Sequence, residues 1–567
     1  MDFGAASVPP IEQTLQEQLP GRWRRASAHE LAREIFRHYQ AVWHIAIPPG
    51  TVRLEGIDHL FVVIDGSFPN SQPRILAPQI EDSQPWPHVE ANGFLCLRST
   101  RAGKPAGQRI LQHLAWAHEL LNYTELQCQR DFEREFVAYW NLRVAKDKKR
   151  HEILSLVAPG GESREIFYFG DRRTRRIVLA DNRKQLLGWL RNSGANPADG
   201  DVLPTWLLRL PRPWNPDEYP DLGREVLREL PEKVLRRFLV PGEPCPLVFE
   251  VRAQTGPAFA AILFQGPTER ELTKGFRRLS KVPVDRIAMA FGARPVVRCP
   301  VTRVDGDWVH GRGHDSSYRA VSSKTVVIVG CGALGGPVVR LLAQSGVRKF
   351  ILIDPDEFSP ANMSRHVLGM PFVGQNKARA MAQLLQQDFP HIDESEAIPK
   401  RFQQLTSREL DAVLDADLVI SAGIDFDGDA ALDAWRRGLA RPPPHLCAWA
   451  EAHAIVGHAV LLYGRDSLMG AFDEEERPLF RLTDWPEKGP QFAVEAGCGN
   501  IFQPHGAVDL QPTIALAARL ALDALLERAG ASCRRSWLGE LSAVTVLGGT
   551  PRPEFNASNV AREFQWS

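Results

Sequence analysis

The chain has 567 residues, a hydrophobic fraction of 44% and 68 basic against 68 acidic side chains, so its formal net charge is zero. That balance argues against a global basic field for nucleic acid and against an acidic tail. The longest apolar candidate, TIALAARLALDALL (513–526), is broken by Arg519 and Asp523 and falls short of the ~18 residues expected of a membrane span.

At roughly 150 residues per domain the length predicts three or four domains. The N-terminal stretch MDFGAASVPPIEQTLQEQLP lacks a basic start followed by an apolar run, so a signal peptide is not expected and a cytoplasmic location is. The eight cysteines (96, 128, 245, 299, 331, 447, 498 and 533) are scattered and contain no CxxC. This excludes a disulfide framework and a four-cysteine zinc site as first readings, and leaves lone nucleophiles among buried bystanders.

In chain order, SAHELAREIFRHYQAVW (27–43) has helical apolar spacing with Ser27 as N-cap. TVRLEGIDHLFVVIDGSFP (51–69) alternates like strands, with the apolar run Phe61–Ile64 closed by Asp65-Gly66. Prolines 69, 73, 78, 85 and 87 then predict loop or edge structure. Amphipathic helices are expected at 110–123 and 131–142, before the charged stretch 146–152. Residues 165–170 and 175–180 read as paired strands, 184–194 as a helix closed by Gly194, and 203–220 as a Pro-rich linker or irregular surface. Strands are expected again at 244–253 and 259–266, and no chemistry-bearing cluster stands out in this mixed α/β spacer.

From Lys324 the pattern alternates strand and helix. Val326–Val329, Phe350–Ile353 and Leu418–Ile420 are short apolar runs of the kind a buried parallel sheet requires. Between the first two lies GALGGPVVRLLAQSG (332–346), where Pro337 suits a first helical turn and Gly346 a stop. Gly330, Gly332 and Gly335 make a GxGxxG turn, which lets backbone N–H groups and a helix N-terminus approach phosphate. Asp354 ends the next strand, 19 residues after Gly335, where a carboxylate binds ribose hydroxyls. Taken alone, this describes a dinucleotide site. Asn362 and Arg365 follow in NMSRH, Lys377 in VGQNKA and Asp425 in SAGID; Arg365 and Lys377 are the phosphate-binding cations and Asp425 the Mg²⁺-placing carboxylate that adenylation needs.

This ordered set resembles the adenylation domain of the ubiquitin-activating enzyme superfamily (ThiF/MoeB type), over residues ~320–526. The resemblance implies ATP and Mg²⁺, ribose binding by Asp354, phosphate contacts from Asn362, Arg365 and Lys377, and a metal role for Asp425. It also implies an arginine before the first strand, Arg312 or Arg319, and commonly a homodimer.

Two cysteines fit acyl transfer. Cys498 lies between glycines in EAGCGNIFQPHG (495–506), ahead of a helix, and its place resembles the thioester-forming loop of activating enzymes. Cys331, inside the glycine turn, reads as a small packed residue. Cys96 ends PWPHVEANGFLCL (85–97), which resembles the active-site segment of ubiquitin-conjugating enzymes, as does the surrounding region ~25–145. His88 stands where that family has its oxyanion-stabilising asparagine; His88 or Asn92 is then the donor, or His88 is structural.

The expected architecture is multidomain α/β. It comprises a ubiquitin-conjugating-like α+β fold (1–150), a mixed α/β linker domain (151–318) and a Rossmann-like adenylation domain with a mainly parallel sheet (319–567). Such fusions resemble the ubiquitin-transferase-like family of type II CBASS antiphage operons. The resemblance implies adenylation of a partner's C-terminus, that of a cyclic-oligonucleotide synthase. A thioester on Cys498, transfer to Cys96 and conjugation to a lysine-bearing target follow. Joining both carriers in one chain raises their effective concentration. Alternatives are a sulfur-carrier-type adenylyltransferase, an NAD(P)-dependent oxidoreductase and a non-catalytic scaffold.

Overall fold

The computed structural model describes residues 3–80, 86–90, 92–144, 151–171, 173–311, 317–392, 394–486, 492–494, 501–502 and 504–566. The chain divides into two compact units, one of residues 1–183 with 200–302 and the other of 184–199 with 303–567.

The first unit opens with helix α1 (Phe3–Gln18), which the sequence reading missed because Pro9 and Pro10 lie inside it. Its Ile11 and Leu15 are fully buried in one core with Trp43. At its crossing with α3 (Ala106–Leu121), a Cβ on Gly107 would lie 2.0 Å from the Thr14 hydroxyl, so only glycine permits this approach. The helix expected over 27–43 is corrected. Ser27 and Glu30 form a capping box that sustains only the short α2 (Ala28–Leu31), and a 3-10 turn follows at Glu34–Phe36. Ala41–Ala46 is instead strand β2, whose Val42, Trp43 and Ile45 are buried. The apolar residues there satisfied a helical period locally, but pairing to β3 (His59–Ile64) over six residues decided the outcome. With β1 (Trp23–Arg25) and β4 (Arg74–Leu76) these make an antiparallel four-stranded sheet in sequential order, with β4 at its edge in the Pro-rich stretch. The helix expected at 131–142 is two helices, α4 (Glu125–Arg134) and α5 (Phe136–Val144), broken at Glu135.

Seven strands then close a barrel: β5 (Glu152–Ser155), β6 (Arg164–Asp171), β7 (Arg176–Ala180), β8 (Leu203–Arg209), β9 (Pro244–Ala253), β10 (Gly256–Gln265) and β11 (Val296–Arg303). The expected β6–β7 and β9–β10 pairs are present. The linker reading of 203–220 is corrected for its first half. Leu203–Arg209 pairs on both sides, because Pro204 sits at the strand's start while Leu207 and Leu208 supply buried surface. A helix at Arg183–Asn192 ends before Gly194, which has φ +81°.

The second unit is built on an eight-stranded sheet. Its parallel part runs β14 (Glu394–Ile398), β13 (Lys349–Ile353), β12 (Thr325–Val329), β15 (Leu418–Ala422), β16 (His445–Ala450). Antiparallel β17 (Val456–Leu462) and the strands Cys533–Leu538 and Val560–Gln565 extend it. Both sheet faces are covered, one by the helices Gly335–Gln344, Lys377–Asp388 and Ala507–Leu525, the other by a smaller apolar cluster around Leu432 and Val413. Burial on both faces is what the uninterrupted apolar strands required. Successive strands leave β12 in opposite directions, to β13 and to β15, which opens a crevice at their C-terminal ends. Among the described residues, no helix is long and apolar enough to cross a membrane.

Candidate active site

The glycine loop sits at that crevice, between β12 and the helix Gly335–Gln344. Gly330 has φ +93°, and a Cβ there would lie 2.6 Å from the Ala422 carbonyl oxygen. A Cβ at Gly335 would fall 1.8 Å from the Gly330 carbonyl oxygen. A Cβ at Gly332 meets nothing within 4 Å, because this glycine faces open space. Two glycines therefore build the turn and the third leaves room beside it.

Gly330, Gly332, Asp354, Lys377 and Asp425 line one cleft of about 210 Å³, with Asp356, Lys400 and Arg401 also on its wall. Asp354 is 5% exposed and accepts the Cys331 N–H at 2.7 Å and the Asp356 N–H at 2.8 Å. Burial raises its carboxyl above the usual carboxylate range, against the opposing pull of those two amides and of Lys377. Each oxygen retains a second lone pair for a hydroxyl donor. Lys377 opens the helix Lys377–Asp388 and ion-pairs with Asp356 at 3.0 Å. Asp425 is the N-cap of the helix Phe426–Gly438, accepting the Gly428 N–H at 2.8 Å and an Arg401 N–H at 2.8 Å.

Asn362 and Arg365 are not on the cleft's wall. The Asn362 side-chain oxygen closes its own 3-10 turn, accepting from Ser359 N–H and hydroxyl at 3.2 Å each, and the Arg365 N–H donates to the Asn362 carbonyl. Arg319 pairs with Asp307 and donates to the Tyr318 hydroxyl; Arg312 lies outside the described residues.

Asp356, Lys400, Arg401 and His366 escaped the sequence reading. Lys400 and Arg401 follow β14, whose polar ESEAI sequence does not read as a strand, although the C-terminal edge of a parallel sheet is where ligand groups gather. His366 accepts the Leu368 N–H at Nδ1, so its Nε2–H donates to the Cys331 carbonyl at 2.6 Å and clamps the glycine loop. Burial lowers its pKa to about 4, so it is a neutral clamp. No short-range pattern links it to a residue 35 positions away. Cys331 is fully buried and burial drives its thiol pKa well up, which suits a packed residue and not a nucleophile.

Cys96 is exposed, whereas Cys128, Cys245, Cys299, Cys331, Cys447 and Cys533 are buried. Its N–H donates to the His88 carbonyl at 2.7 Å across a Val89–Leu95 bridge, and two clefts share Cys96 and His88 in their walls. His88 has φ +56°, a left-handed conformation pinned by its N–H donating to the Tyr139 hydroxyl at 3.0 Å. Its Nε2 contacts Asp131 at 3.2 Å. Asn92 is exposed and its side-chain oxygen accepts the Phe94 N–H at 3.3 Å, an Asx-type turn ahead of Gly93. Cys498 lies outside the described residues. Among the described residues no group of three His, Cys, Asp or Glu side chains is arranged to hold a metal.

A model of the ThiF family matches residues 310–435, the segment that carries the glycine loop and the cleft. The ATP-dependent ubiquitin transferase-like protein Cap2 of Pseudomonas aeruginosa is 29% identical over 500 residues, 82% of this chain and 84% of that protein. The protein of the same name from Vibrio cholerae is 34% identical over 238 residues, 40% of each chain. A crystal structure of E. coli MccB with ATP aligns at 18% identity and a TM-score of 0.30, over 42% of this chain and 65% of that one, so the chain spans less than two thirds of MccB. Over most of its length, then, the chain is similar to Cap2, and the segment around its glycine loop matches the ThiF family.

Proposed function

We propose that the chain is an ATP-dependent, ubiquitin-transferase-like enzyme that adenylates the C-terminal carboxylate of a partner protein. The observation that carries this reading is the gathering of the open Gly332, the acceptor Asp354 and the cations Lys377, Lys400 and Arg401 in one cleft. Three basic side chains on one wall suit a triphosphate, which carries more charge than the two-phosphate bridge of NAD. Attack of a carboxylate on an α-phosphate expels pyrophosphate, and those cations oppose the charge that develops. Asp354 would take the ribose, and Asn362 and Arg365 would approach the phosphates from the neighbouring turn. Mg²⁺ binds through one or two carboxylates plus phosphate oxygens, and the half-exposed Asp425 fits that need. When bound, the ion would neutralise phosphate charge.

The further steps are a thioester on Cys498, transthiolation to Cys96, and attack by a target amine, probed as lysine. His88 and Cys96 line the same two clefts, which supports a role for His88 at the second thioester. A cyclic-oligonucleotide synthase as the activated partner, in antiphage defence, and a homodimeric state complete the reading.

The test is a thioester trap. Wild type, Cys96→Ala and Cys498→Ala are incubated with Mg·ATP and host lysate and run on non-reducing gels. An ATP-dependent, thiol-sensitive upshift is expected, retained by Cys96→Ala and abolished by Cys498→Ala. The reverse pattern overturns the order of transfer, and no shift in lysate shown to contain the neighbouring gene products overturns the reading.

A further inference from the structure

Each basic side chain on the wall of the nucleotide cleft is already paired with a carboxylate. Lys377 meets Asp356 at 3.0 Å, Lys400 meets Glu409 at 2.8 Å and Arg401 meets Asp425 at 2.8 Å. Asp354, Asp356 and Asp425 match Lys377, Lys400 and Arg401 in number on that wall, so the empty cleft offers a polyphosphate no net formal charge. We propose that the Arg401–Asp425 pair is a strap across the crevice in which Arg401 holds the place of the metal ion. Mg²⁺ arriving with the nucleotide takes Asp425, and Arg401 is released to the phosphates. The inference rests on the adenylation reading above.

Three observations carry it. Arg401 follows β14 and Asp425 follows β15, with β13 and β12 between them in the sheet. The ribose acceptor Asp354 ends β13 and the glycine loop follows β12, so a nucleotide that spans both lies between the two ends of the strap.

The second observation concerns the two oxygens of Asp425. Its Oδ1 accepts the Gly428 N–H at 2.8 Å and is committed to capping the helix Phe426–Gly438. Its Oδ2 accepts an Nη1–H of Arg401 at 2.8 Å. The oxygen left for a metal is therefore the one that Arg401 holds. A guanidinium and a divalent cation on one carboxylate oxygen repel each other, so binding of the ion displaces the arginine.

The third is that this pair is free to exchange. The Arg401 and Asp425 side chains are 56% and 54% exposed, and an ion pair so open to water is weak. Lys377 is only 12% exposed and is fixed against Asp356. Lys400 is held by Glu409, which is off the cleft wall and is itself bound by the Thr406 N–H and hydroxyl. Arg401 is thus the one cation whose release frees a carboxylate of the cleft for a metal. Metal and nucleotide then bind cooperatively, because the ion that takes Asp425 also frees the guanidinium that the phosphates need.

The test separates the metal from the nucleotide. Full-length wild type, Arg401→Gln, Lys400→Gln and the double variant Arg401→Gln/Asp425→Asn are titrated with Mn²⁺ alone, and free ion is read by electron paramagnetic resonance. Arg401→Gln is expected to bind Mn²⁺ about two- to fivefold more tightly than wild type, Lys400→Gln to match wild type, and the double variant to lose the gain. Calorimetry with α,β-methylene-ATP in excess Mg²⁺ should show the opposite sign, with Arg401→Gln binding the nucleotide about threefold or more weakly. Equal Mn²⁺ affinity in wild type and Arg401→Gln, equal tightening in Lys400→Gln, a gain that survives Asp425→Asn, or unchanged nucleotide affinity in Arg401→Gln each overturns the proposal. A wild type that binds no α,β-methylene-ATP sinks the proposed function and this inference with it. A wild type that binds it without the Arg401 effects sinks this inference alone.

Discussion

The carboxylate of Asp354 accepts the backbone N–H of Cys331 at 2.7 Å, which ties the end of β13 to the glycine loop that follows β12. The same side chain accepts the Asp356 N–H, so one residue shapes both walls of the cleft before any ligand arrives. Asp354→Ala leaves the buried Cys331 N–H unpartnered, and an unsatisfied buried donor costs about 1–3 kcal/mol. We expect a loss of that size in a urea titration, together with weaker binding of a non-hydrolysable ATP analogue by calorimetry. Stability equal to wild type would show that the loop is held by other means.

The glycines of the loop separate folding from binding. Gly335→Ala drives a methyl group to 1.8 Å from the Gly330 carbonyl oxygen, a backbone clash that no rotamer relieves, and should destabilise the fold by about 3 kcal/mol or more. Gly332→Ala meets no atom within 4 Å and should fold normally, yet its methyl group projects at the cleft wall and should weaken ATP binding. Thermal unfolding and nucleotide titration of the pair check this; equal melting temperatures for the two variants contradict it.

Acid should unfold the second unit through its buried histidines. Burial lowers the pKa of His366 and His391 to about 4 and of His445 to about 3, from an unfolded value of 6.5. The unfolded chain therefore binds more protons in this window, so the contribution is full above pH 6.5 and is lost as pH falls towards 4. Asp429 opposes this, because burial raises its pKa from 3.8 to about 6 and its contribution is lost as pH rises through that range. Asp354, whose carboxyl burial also raises, opposes it in the same sense, and three histidines outweigh these two aspartates. Stability from urea titrations should fall between pH 6.5 and 4, and His391→Gln should reduce the slope by about one proton. An unchanged slope in that variant would refute the assignment.

Cysteine reactivity should follow burial. Burial raises the thiol pKa of Cys128 to about 11 and of Cys245 to about 12, and drives those of Cys331 and Cys447 well up. Under native conditions iodoacetamide should label Cys96 ahead of Cys128, Cys245, Cys299, Cys331, Cys447 and Cys533, which should react only after denaturation. Mass spectrometry of timed samples reads this, and early labelling of Cys331 would contradict the buried glycine loop.

The sequence by itself determined the elements whose cause is local. Gly330 and Gly335 announce the turn because only glycine fits backbone atoms that close, and the continuous apolar runs of β12, β13 and β15 announce a sheet covered on both faces. The motif around Cys96 and the order Asp354, Lys377, Asp425 were legible for the same reason, since each is a short pattern next to its own strand or helix end. The tertiary structure decided what depends on residues far apart in the chain. Ala41–Ala46 became a strand because β3 offered it a partner, and Leu203–Arg209 because a barrel had to close. Lys400 and Arg401 reached the cleft by sheet order, and His366 met Cys331 across 35 positions. His88 met Asp131 across 43 positions, through packing against a helix break at Glu135. Local propensity carries no record of such contacts, because their free energy appears only when distant segments exclude water from the same place.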